Sequence, residues 1–198
     1  KATEKKMPVI SIDYNIYRPI LETFDRLEWR SQTALGWVIR QFTRQPVNHT
    51  GMVMRFPAYD ACGIDVVCTA EALGRGFGVN RLSRRLAATK GYCIAYPLKA
   101  EYDHLRGRLG ATALGLDGTP YDLPALAGSA LGYMPTGLKL LFCSEGIFVV
   151  GRRCGLPVPE RWEKKAPRPG KDMDSLGWWS ETGYRLVMRS SSKLKAGS

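Results

Sequence analysis

The sequence predicts an α+β fold, and three observations lead to this class. Apolar residues recur at helical spacing over 32–43, and the segment 143–155 also carries a helical pattern. Polar and apolar residues alternate over 49–56, which is typical of a strand. Short apolar runs over 64–72 and 92–98 predict two further strands. Strands that lie between and beside helices in this order favour a mixed α+β arrangement.

Turn and capping residues set the boundaries of these elements. Ser31 is a suitable N-cap for the first helix, and Pro46 ends that element. The strands at 49–56 and 64–72 can pair as a hairpin. The stretch Gly74–Gly78 has the spacing G-x-G-x-G, which is not the dinucleotide-binding motif, and we interpret it as a flexible loop. The remaining predicted elements are an extended lead-in or strand at 9–17 and helices at 80–90, 99–116 and 123–131.

The length of 198 residues suits one domain, and no internal repeat or linker divides the chain. We expect one catalytic domain over 1–198 with a core at about 9–155. A basic, proline-rich extension over 156–189 follows, in which Pro157–Lys171 is predicted to be an exposed arm. The extension is predicted to end in a turn and a short strand that pack back on the body, and 190–198 to be a disordered tail.

The net charge of +11 favours anionic partners, such as nucleic acid, anionic lipid or an anionic cell-wall polymer. No zinc-finger spacing or RNP-like aromatic strand accompanies the charge, so we prefer a solvated basic surface to a dedicated nucleic-acid site. No apolar run approaches the ~20 residues of a membrane span, and the first residues contain no signal-peptide apolar region.

Cysteine and histidine usage argues against metal and disulfide chemistry. The five cysteines are odd in number and form no C-x-x-C pair, and the chain has two histidines. We therefore expect no structural zinc, no cofactor and no disulfide framework, and a reducing compartment such as the cytoplasm. Cys68 and Cys93 lie in strand-like runs typical of a core, and Cys154 is interpreted as a packing residue at a helix end.

Cys143 is the candidate nucleophile. It stands where the apolar run Leu140–Phe142 gives way to a helical pattern, so a helix that begins at this residue places the thiol beside unpaired backbone N–H groups. The positive end of a helix dipole favours the reactive thiolate form of a cysteine. The alternative is a small buried hydrophobic residue, because free cysteine is among the most buried residue types.

A thiol nucleophile needs a base, and the imidazole must come from His49 or His104. We favour His49, because it begins a predicted strand, whereas His104 lies on a polar helix face among charged residues. Glu71, in the neighbouring apolar strand, is the candidate acid that orients the imidazole. The alternative for Glu71 is an edge-strand charge or a salt bridge with one of the many arginines.

Four motifs follow one another along the chain: Val38–Thr43 followed by Asn48–Met52, Thr69–Ala72, Gly118–Asp122, and Leu141–Glu145. This ordered set resembles the circularly permuted papain-like amidases, the permuted relatives of the NlpC-type cell-wall peptidases that include the YiiX-like group. The chain departs from the family at Asn48, where the family usually has serine, and 156–198 has no recognised counterpart.

The resemblance implies a papain-like, circularly permuted fold, in which a small antiparallel sheet or half-barrel packs against the nucleophile helix. It implies a cysteine peptidase or amidase in which Cys143 attacks, His49 transfers protons and Glu71 supports the imidazole. It further implies that Tyr121 lines the cleft or donates to the oxyanion. Ser144 and Glu145, which follow the nucleophile, are also predicted to contact the substrate or the oxyanion. Glu145 is also interpreted as a structural residue, because a carboxylate in the first helical turn complements the helix dipole.

Three functions remain open at this point. The first is hydrolysis of an amide, for example in a peptidoglycan stem peptide, where the basic surface suits an anionic polymer. The second is an acyltransferase or a lipid or ester hydrolase with the same triad, which the motifs do not distinguish from an amidase. The third is a structural or interaction protein that holds an anionic partner through its charge.

Overall fold

The computed structural model describes residues 8–33, 36–37, 40–41, 44–120, 143–163 and 166–188. These residues contain seven strands and six α-helices with defined bounds, which confirms the mixed α+β class. The strands are β1 Val9–Asp13, β2 Arg26–Ser31, β3 His49–Met54, β4 Cys68–Leu73, β5 Gly76–Arg81, β6 Gly91–Tyr96 and β7 Gly183–Val187. The helices are α1 Tyr14–Tyr17, α2 Pro57–Ala61, α3 Leu82–Ala88, α4 Arg106–Leu114, α5 Cys143–Arg153 and α6 Lys171–Asp174.

All seven strands form one open sheet in the order β1-β7-β6-β2-β3-β4-β5. The neighbours pair antiparallel except β1 and β7, which pair in parallel. The sheet is therefore larger than the small sheet that the resemblance implies, and it is mixed at one edge. The predicted hairpin is present, since β3 and β4 pair antiparallel from Met52–Ala70 to Met54–Cys68.

The two faces of the sheet bury two separate apolar clusters. Met52 belongs to the first cluster and the next residue, Val53, to the second, as strand alternation requires. Helices α4 and α5 contribute to the first cluster, through residues such as Leu109 and Ile147. Helices α1 and α3 contribute to the second, which also contains Trp29.

Strand β2 lies in the middle of the sheet, in a stretch for which the residue pattern predicts no element. Its charged residues hide the strand pattern, because Arg26 and Glu28 are buried, with 0% and 3% of their surface exposed. The Arg26 guanidinium stacks over the Tyr96 ring at 4.3 Å, and a Glu28 carboxylate oxygen accepts a hydrogen bond from the Gly170 N–H at 3.0 Å. Buried charges need partners of this kind, which sequence periodicity does not reveal.

The glycine-rich stretch is not a flexible loop, so that prediction is wrong. Gly76 begins strand β5, and the full length of β5 pairs with β4. Gly76 has a φ of +114°, and a Cβ at this position would lie 2.5 Å from the Thr119 carbonyl oxygen. Glycine is needed here because a strand must pass close to another backbone in a conformation that side chains disfavour.

The predicted surface arm is also wrong for the described residues of 157–171. Trp162 and Ala166 are buried, with 7% and 2% of their surface exposed, and both belong to the first cluster. The following residues confirm the predicted return to the body: Trp178 is fully buried and β7 pairs with β6 and β1. The sequence does not predict this burial, because isolated apolar residues between prolines and basic residues have neither helical nor strand periodicity.

The first predicted helix is observed at 36–37 and 40–41, and its other positions lie outside the described residues. Its cap is Thr33 rather than Ser31, because the Thr33 Oγ1 atom accepts a hydrogen bond from the Gly36 N–H at 3.0 Å. The helix predicted at 123–131 and the tail predicted at 190–198 also lie outside the described residues. Within the described ranges, no helix is long and apolar enough to cross a membrane.

Helix α5 packs so closely on the core that Gly151 has no room for a side chain. A Cβ at Gly151 would overlap the Trp178 indole, which is fully buried and stacks on Phe148. We expect Gly151→Ala to lower the free energy of unfolding by about 1–3 kcal/mol, the usual cost of overpacking. Urea denaturation measures this loss.

Gly107 provides the matched control, because it lies in helix α4, is exposed, and has open space within 4 Å of the position that a Cβ would occupy. Gly107→Ala is expected to change the free energy of unfolding by less than about 1 kcal/mol, in the stabilising direction. Equal destabilisation by the two substitutions would contradict the close packing of α5 against Trp178.

Candidate active site

Cys143 is the first residue of helix α5, as the sequence predicts. Its side chain is buried, with 2% of the residue surface exposed. The helix is held in place by Ile147 and Val150, both fully buried, and it contacts strands β3 and β4. The thiol therefore lies at the N-terminal end of a firmly packed helix, next to the first backbone N–H groups, which have no partner within the helix.

His49 begins strand β3, and the structure brings it to both Glu71 and Cys143. Its Nε2 atom lies 2.6 Å from Oε2 of Glu71, which is fully buried in β4. His49 also lies beside Cys143, and the interaction between the two side chains raises the pKa of His49. Because Nε2 faces Glu71, Nδ1 is the ring nitrogen that remains for the thiol. The three residues are thus connected in the order thiol, imidazole, carboxylate.

The groups around His49 favour the protonated form of its imidazole. Burial acts to lower the pKa of His49, but the hydrogen bonds with Cys143 and Glu71 and the negative charges of these two groups raise it from 6.5 to about 9. The protonated imidazole is therefore stabilised on one side by the carboxylate and on the other by the sulfur. This arrangement is suited to a thiolate–imidazolium pair.

Arg85 completes the site, and no feature of the sequence singles it out. Its Nε atom donates to Oε1 of Glu71 at 2.8 Å, and its second terminal nitrogen donates to Oε2 at 3.2 Å. Burial acts to raise the pKa of Glu71, and the contacts with His49 and Arg85 outweigh burial and lower it. The sequence leaves two interpretations of Glu71 open, a contact with the imidazole and a salt bridge with an arginine. The structure contains both contacts, because the same carboxylate lies against His49 and Arg85.

The Arg85 side chain is itself fixed by two further contacts. Its guanidinium lies over the Trp29 ring, 4.8 Å from the ring centroid, and it donates to the Thr89 hydroxyl at 3.1 Å. Arg85 lies on helix α3, for which the sequence predicts only a short basic helix. Several arginines occupy that helix and its flanks, so the sequence contains no signal that distinguishes the one that faces inward.

Asn48 and Gly51, which lie close to His49 in strand order, help to place its side chain and that of Glu71. Asn48 accepts a hydrogen bond from the Ser31 N–H at 2.8 Å and donates to the Ser31 hydroxyl at 2.9 Å, which ties the start of β3 to the end of β2. This polar anchor occupies the position where the family usually has serine. A Cβ at Gly51 would lie 3.2 Å from the Glu71 Cβ and 2.9 Å from the Thr69 hydroxyl, so glycine leaves room for the carboxylate.

The other predicted site residues have different outcomes. Tyr121 lies outside the described residues. Ser144 is fully buried, and its hydroxyl has no hydrogen-bond partner within the described part of the chain. Glu145 lies in the first turn of α5 and is as buried as Cys143, so burial does not separate its structural role from a substrate-facing role. His104 is exposed, as expected for a solvated residue.

The described residues contain no group of three or more histidine, cysteine or acidic side chains placed to hold a metal ion. Within the site, both oxygens of Glu71 accept hydrogen bonds from cationic or imidazole donors, which leaves the carboxylate poorly suited to a metal. All five cysteines are free thiols.

Comparison with solved structures shows a known protein with a similar fold. The structure is similar to the crystal structure of the metalloprotein YiiX from Escherichia coli O157:H7, with a TM-score of 0.62 and 16% sequence identity. The match covers 85% of this chain and 98% of that chain. No protein-family model and no curated protein sequence matches the chain. The chain thus has a YiiX-like fold, and membership of the permuted papain-like family stays a prediction.

Proposed function

We propose that the protein is a cysteine hydrolase that cleaves an amide bond through a Cys143–His49–Glu71 triad and an acyl-enzyme intermediate. The observation that carries the proposal is the position of His49, which is hydrogen-bonded to Glu71 at 2.6 Å and lies beside the thiol at the start of helix α5. A nucleophile, a base within reach of it and a third group that orients the base are the parts that thiol catalysis requires.

In the first half of the reaction, the Cys143 sulfur attacks the carbonyl carbon and the carbonyl π electrons move to the oxygen. The backbone N–H groups at the start of α5 stabilise the resulting oxyanion. When the tetrahedral intermediate collapses, the carbon–nitrogen bond breaks and the His49 imidazolium gives its proton to the leaving amine. The products are a free amine and a thioester on Cys143.

In the second half, neutral His49 accepts a proton from water as the water oxygen attacks the thioester carbon. The carbon–sulfur bond then breaks, which releases a carboxylic acid and restores the thiolate–imidazolium pair. Glu71 remains ionised throughout and holds the imidazole, while Arg85 holds Glu71. Neither residue needs to exchange a proton with the substrate in this scheme.

For the substrate, we propose the peptide part of peptidoglycan. The net charge of +11 supports this choice, because a strongly basic protein accumulates near anionic cell-wall polymers. The resemblance to cell-wall peptidases points in the same direction. A panel of peptidoglycan fragments, p-nitrophenyl esters and phospholipids tests the choice: amine release from the fragments supports the amidase, and preferred cleavage of esters or lipids contradicts it.

The reactivity of Cys143 tests the triad without knowledge of the substrate. We expect iodoacetamide to alkylate Cys143 at pH 6 at least about tenfold faster than Cys154, because the thiolate is the nucleophilic form. Cys154 is a matched internal control, since both cysteines have 2% of their surface exposed. Mass spectrometry of tryptic peptides gives both rates in one sample. Equal rates would contradict the proposed ion pair.

A further inference from the structure

One face of the sheet carries an aromatic ring between two arginines. Arg30 on β2, Tyr92 on β6 and Arg185 on β7 belong to three adjacent strands. The Arg185 guanidinium lies 4.8 Å from the centroid of the Tyr92 ring, and the Arg30 guanidinium lies 5.9 Å from the same centroid. The three side chains therefore form one cluster, which we call the Tyr92 platform.

The register of the strands explains why these side chains meet. Arg30 lies opposite Tyr92, and Arg185 lies opposite Ile94. Cross-strand partners point to the same side of a sheet, and so do residues two positions apart in one strand. Ile94 belongs to the first apolar cluster, and Tyr92 packs against that cluster. The platform thus lies on the face of the sheet that carries the first cluster.

The platform lies beyond the part of this face that the rest of the chain covers. Glu28, two residues before Arg30 in β2, is buried and accepts a hydrogen bond from the Gly170 N–H. Helix α5 packs on the other half of the sheet, against β3 and β4. Arg30 and Arg185 are exposed, and Tyr92 is partly buried. A partner from solvent can therefore reach both guanidiniums.

Positive charge on the platform is not neutralised by the described residues. Within the described ranges, neither Arg30 nor Arg185 forms an ion pair. Asp13 shares this face, opposite Val187, but its carboxylate accepts a hydrogen bond from the Asn15 N–H at 2.8 Å. Guanidiniums without a carboxylate partner are well suited to phosphate groups. The net charge of +11 attracts polyanions to the whole surface.

The combination of an aromatic ring with arginines matches the chemistry of a single-stranded nucleic acid. Bases stack on aromatic rings and on guanidinium planes, while the phosphates pair with the cationic groups. A sheet face offers no helix or ribbon that could enter a duplex groove, which favours a single strand. No sequence motif marks the platform, because its three residues come from three strands that lie far apart in the chain.

We propose that the Tyr92 platform binds single-stranded nucleic acid. The phosphates pair with Arg30 and Arg185, and a base stacks on the surface that the Tyr92 ring and the two guanidiniums form. The platform is separate from the triad, since His49 and Glu71 lie on β3 and β4. Nucleic-acid binding and amide hydrolysis can therefore be tested, and can fail, independently of each other.

Fluorescence anisotropy of the full chain with a labelled oligothymidylate of about 12 nucleotides tests the proposal. We expect saturable binding that weakens as the salt concentration rises. Tyr92→Ala should weaken it at least about fivefold, because a stacking surface is lost, and Tyr92→Phe should bind as the parent does. Arg30→Gln and Arg185→Gln should each weaken binding and reduce the slope of log affinity against log salt by about one.

Two controls separate a built site from general attraction to a basic protein. Arg75→Gln makes the same change in net charge at the turn between β4 and β5, where Arg75 is exposed, and should leave the affinity and the salt slope unchanged. Inorganic polyphosphate of equal charge has no bases, so it should compete at least about fivefold less well than unlabelled oligothymidylate.

Four results would overturn the proposal: no saturable binding, equal competition by polyphosphate, unchanged binding in a folded Tyr92→Ala variant, or equal effects of the Arg185 and Arg75 substitutions. Circular dichroism shows whether each variant is folded, and the exposed Arg185 keeps the test valid if Tyr92→Ala is not. Cys143→Ala should bind as the parent does. Loss of binding in that variant would place the nucleic acid at the triad and would also contradict the proposal.

Discussion

Replacement of Cys143 with alanine is expected to lower amide hydrolysis by at least about a thousandfold, because no other group can form the acyl-enzyme. Release of new amines from purified peptidoglycan fragments measures the effect. Cys143→Ser should also be nearly inactive, although it preserves the shape of the side chain, since a serine hydroxyl beside this imidazole is far less ionised than a thiol.

Cys154→Ala is the control for this substitution. Cys154 follows the same helix, is equally buried, and contacts the Thr112 hydroxyl with its sulfur at 3.2 Å, so its loss creates a comparable cavity without touching the triad. It should retain activity. If Cys143→Ala and the parent protein release amines at the same rate, the proposed mechanism is wrong, provided that circular dichroism shows both to be folded.

Replacement of Glu71 with glutamine is expected to have the second largest effect, a loss of about a hundredfold or more in kcat/KM. The substitution keeps the size of the side chain and removes the charge that stabilises the imidazolium. In the parent protein, the pKa of His49 is raised to about 9, so the imidazole is almost fully protonated at neutral pH and loses its proton as the pH rises through 9. The alkaline limb of activity should therefore move to lower pH in the variant.

The raised pKa of His49 also affects the stability of the fold, which can be measured without a substrate. Because the pKa of His49 is higher in the folded than in the unfolded protein, His49 stabilises the fold below about pH 6.5, and this contribution decreases as the pH rises towards 9. Urea denaturation between these two pH values should show a smaller decrease for Glu71→Gln than for the parent. An unchanged activity profile and an unchanged stability slope would contradict the role given to Glu71.

Arg85 offers a graded form of this experiment. Arg85→Gln should shift the alkaline limb in the same direction as Glu71→Gln, because Glu71 would lose a cation that keeps it ionised. Arg84→Gln is its matched control, since Arg84 is the exposed neighbour on the same helix. Identical profiles for the two arginine variants would show that Arg85 has only a structural role.

Periodic patterns and short motifs in the sequence predict several parts of the site. The start of β3 at His49, the apolar strand around Glu71 and the helix that begins at Cys143 each have a local signal, and the structure contains all three elements. Their meeting point cannot be derived from those signals alone. It depends on the pairing of β3 with β4 and on the packing of α5 against both strands.

The parts that the sequence does not predict depend on long-range partners. Strand β2 has no strand signal because Arg26 and Glu28 are charged, and their burial is favourable only beside groups such as Tyr96 and Gly170. Arg85 escapes prediction for the same reason, since its role depends on Glu71, which belongs to another element. The loop predicted at Gly74–Gly78 is wrong because flexibility and close backbone approach favour the same residue type.

The parallel pairing of β1 with β7 has a consequence for how the protein is made. Val9 lies opposite Gly183, and β7 is also the strand that joins β1 to β6. During synthesis, the first strand must therefore wait for almost the last described residues before it has a neighbour. Contacts of such high sequence separation slow folding and leave strand edges exposed in the meantime. We expect the nascent chain to depend on chaperones until β7 leaves the ribosome.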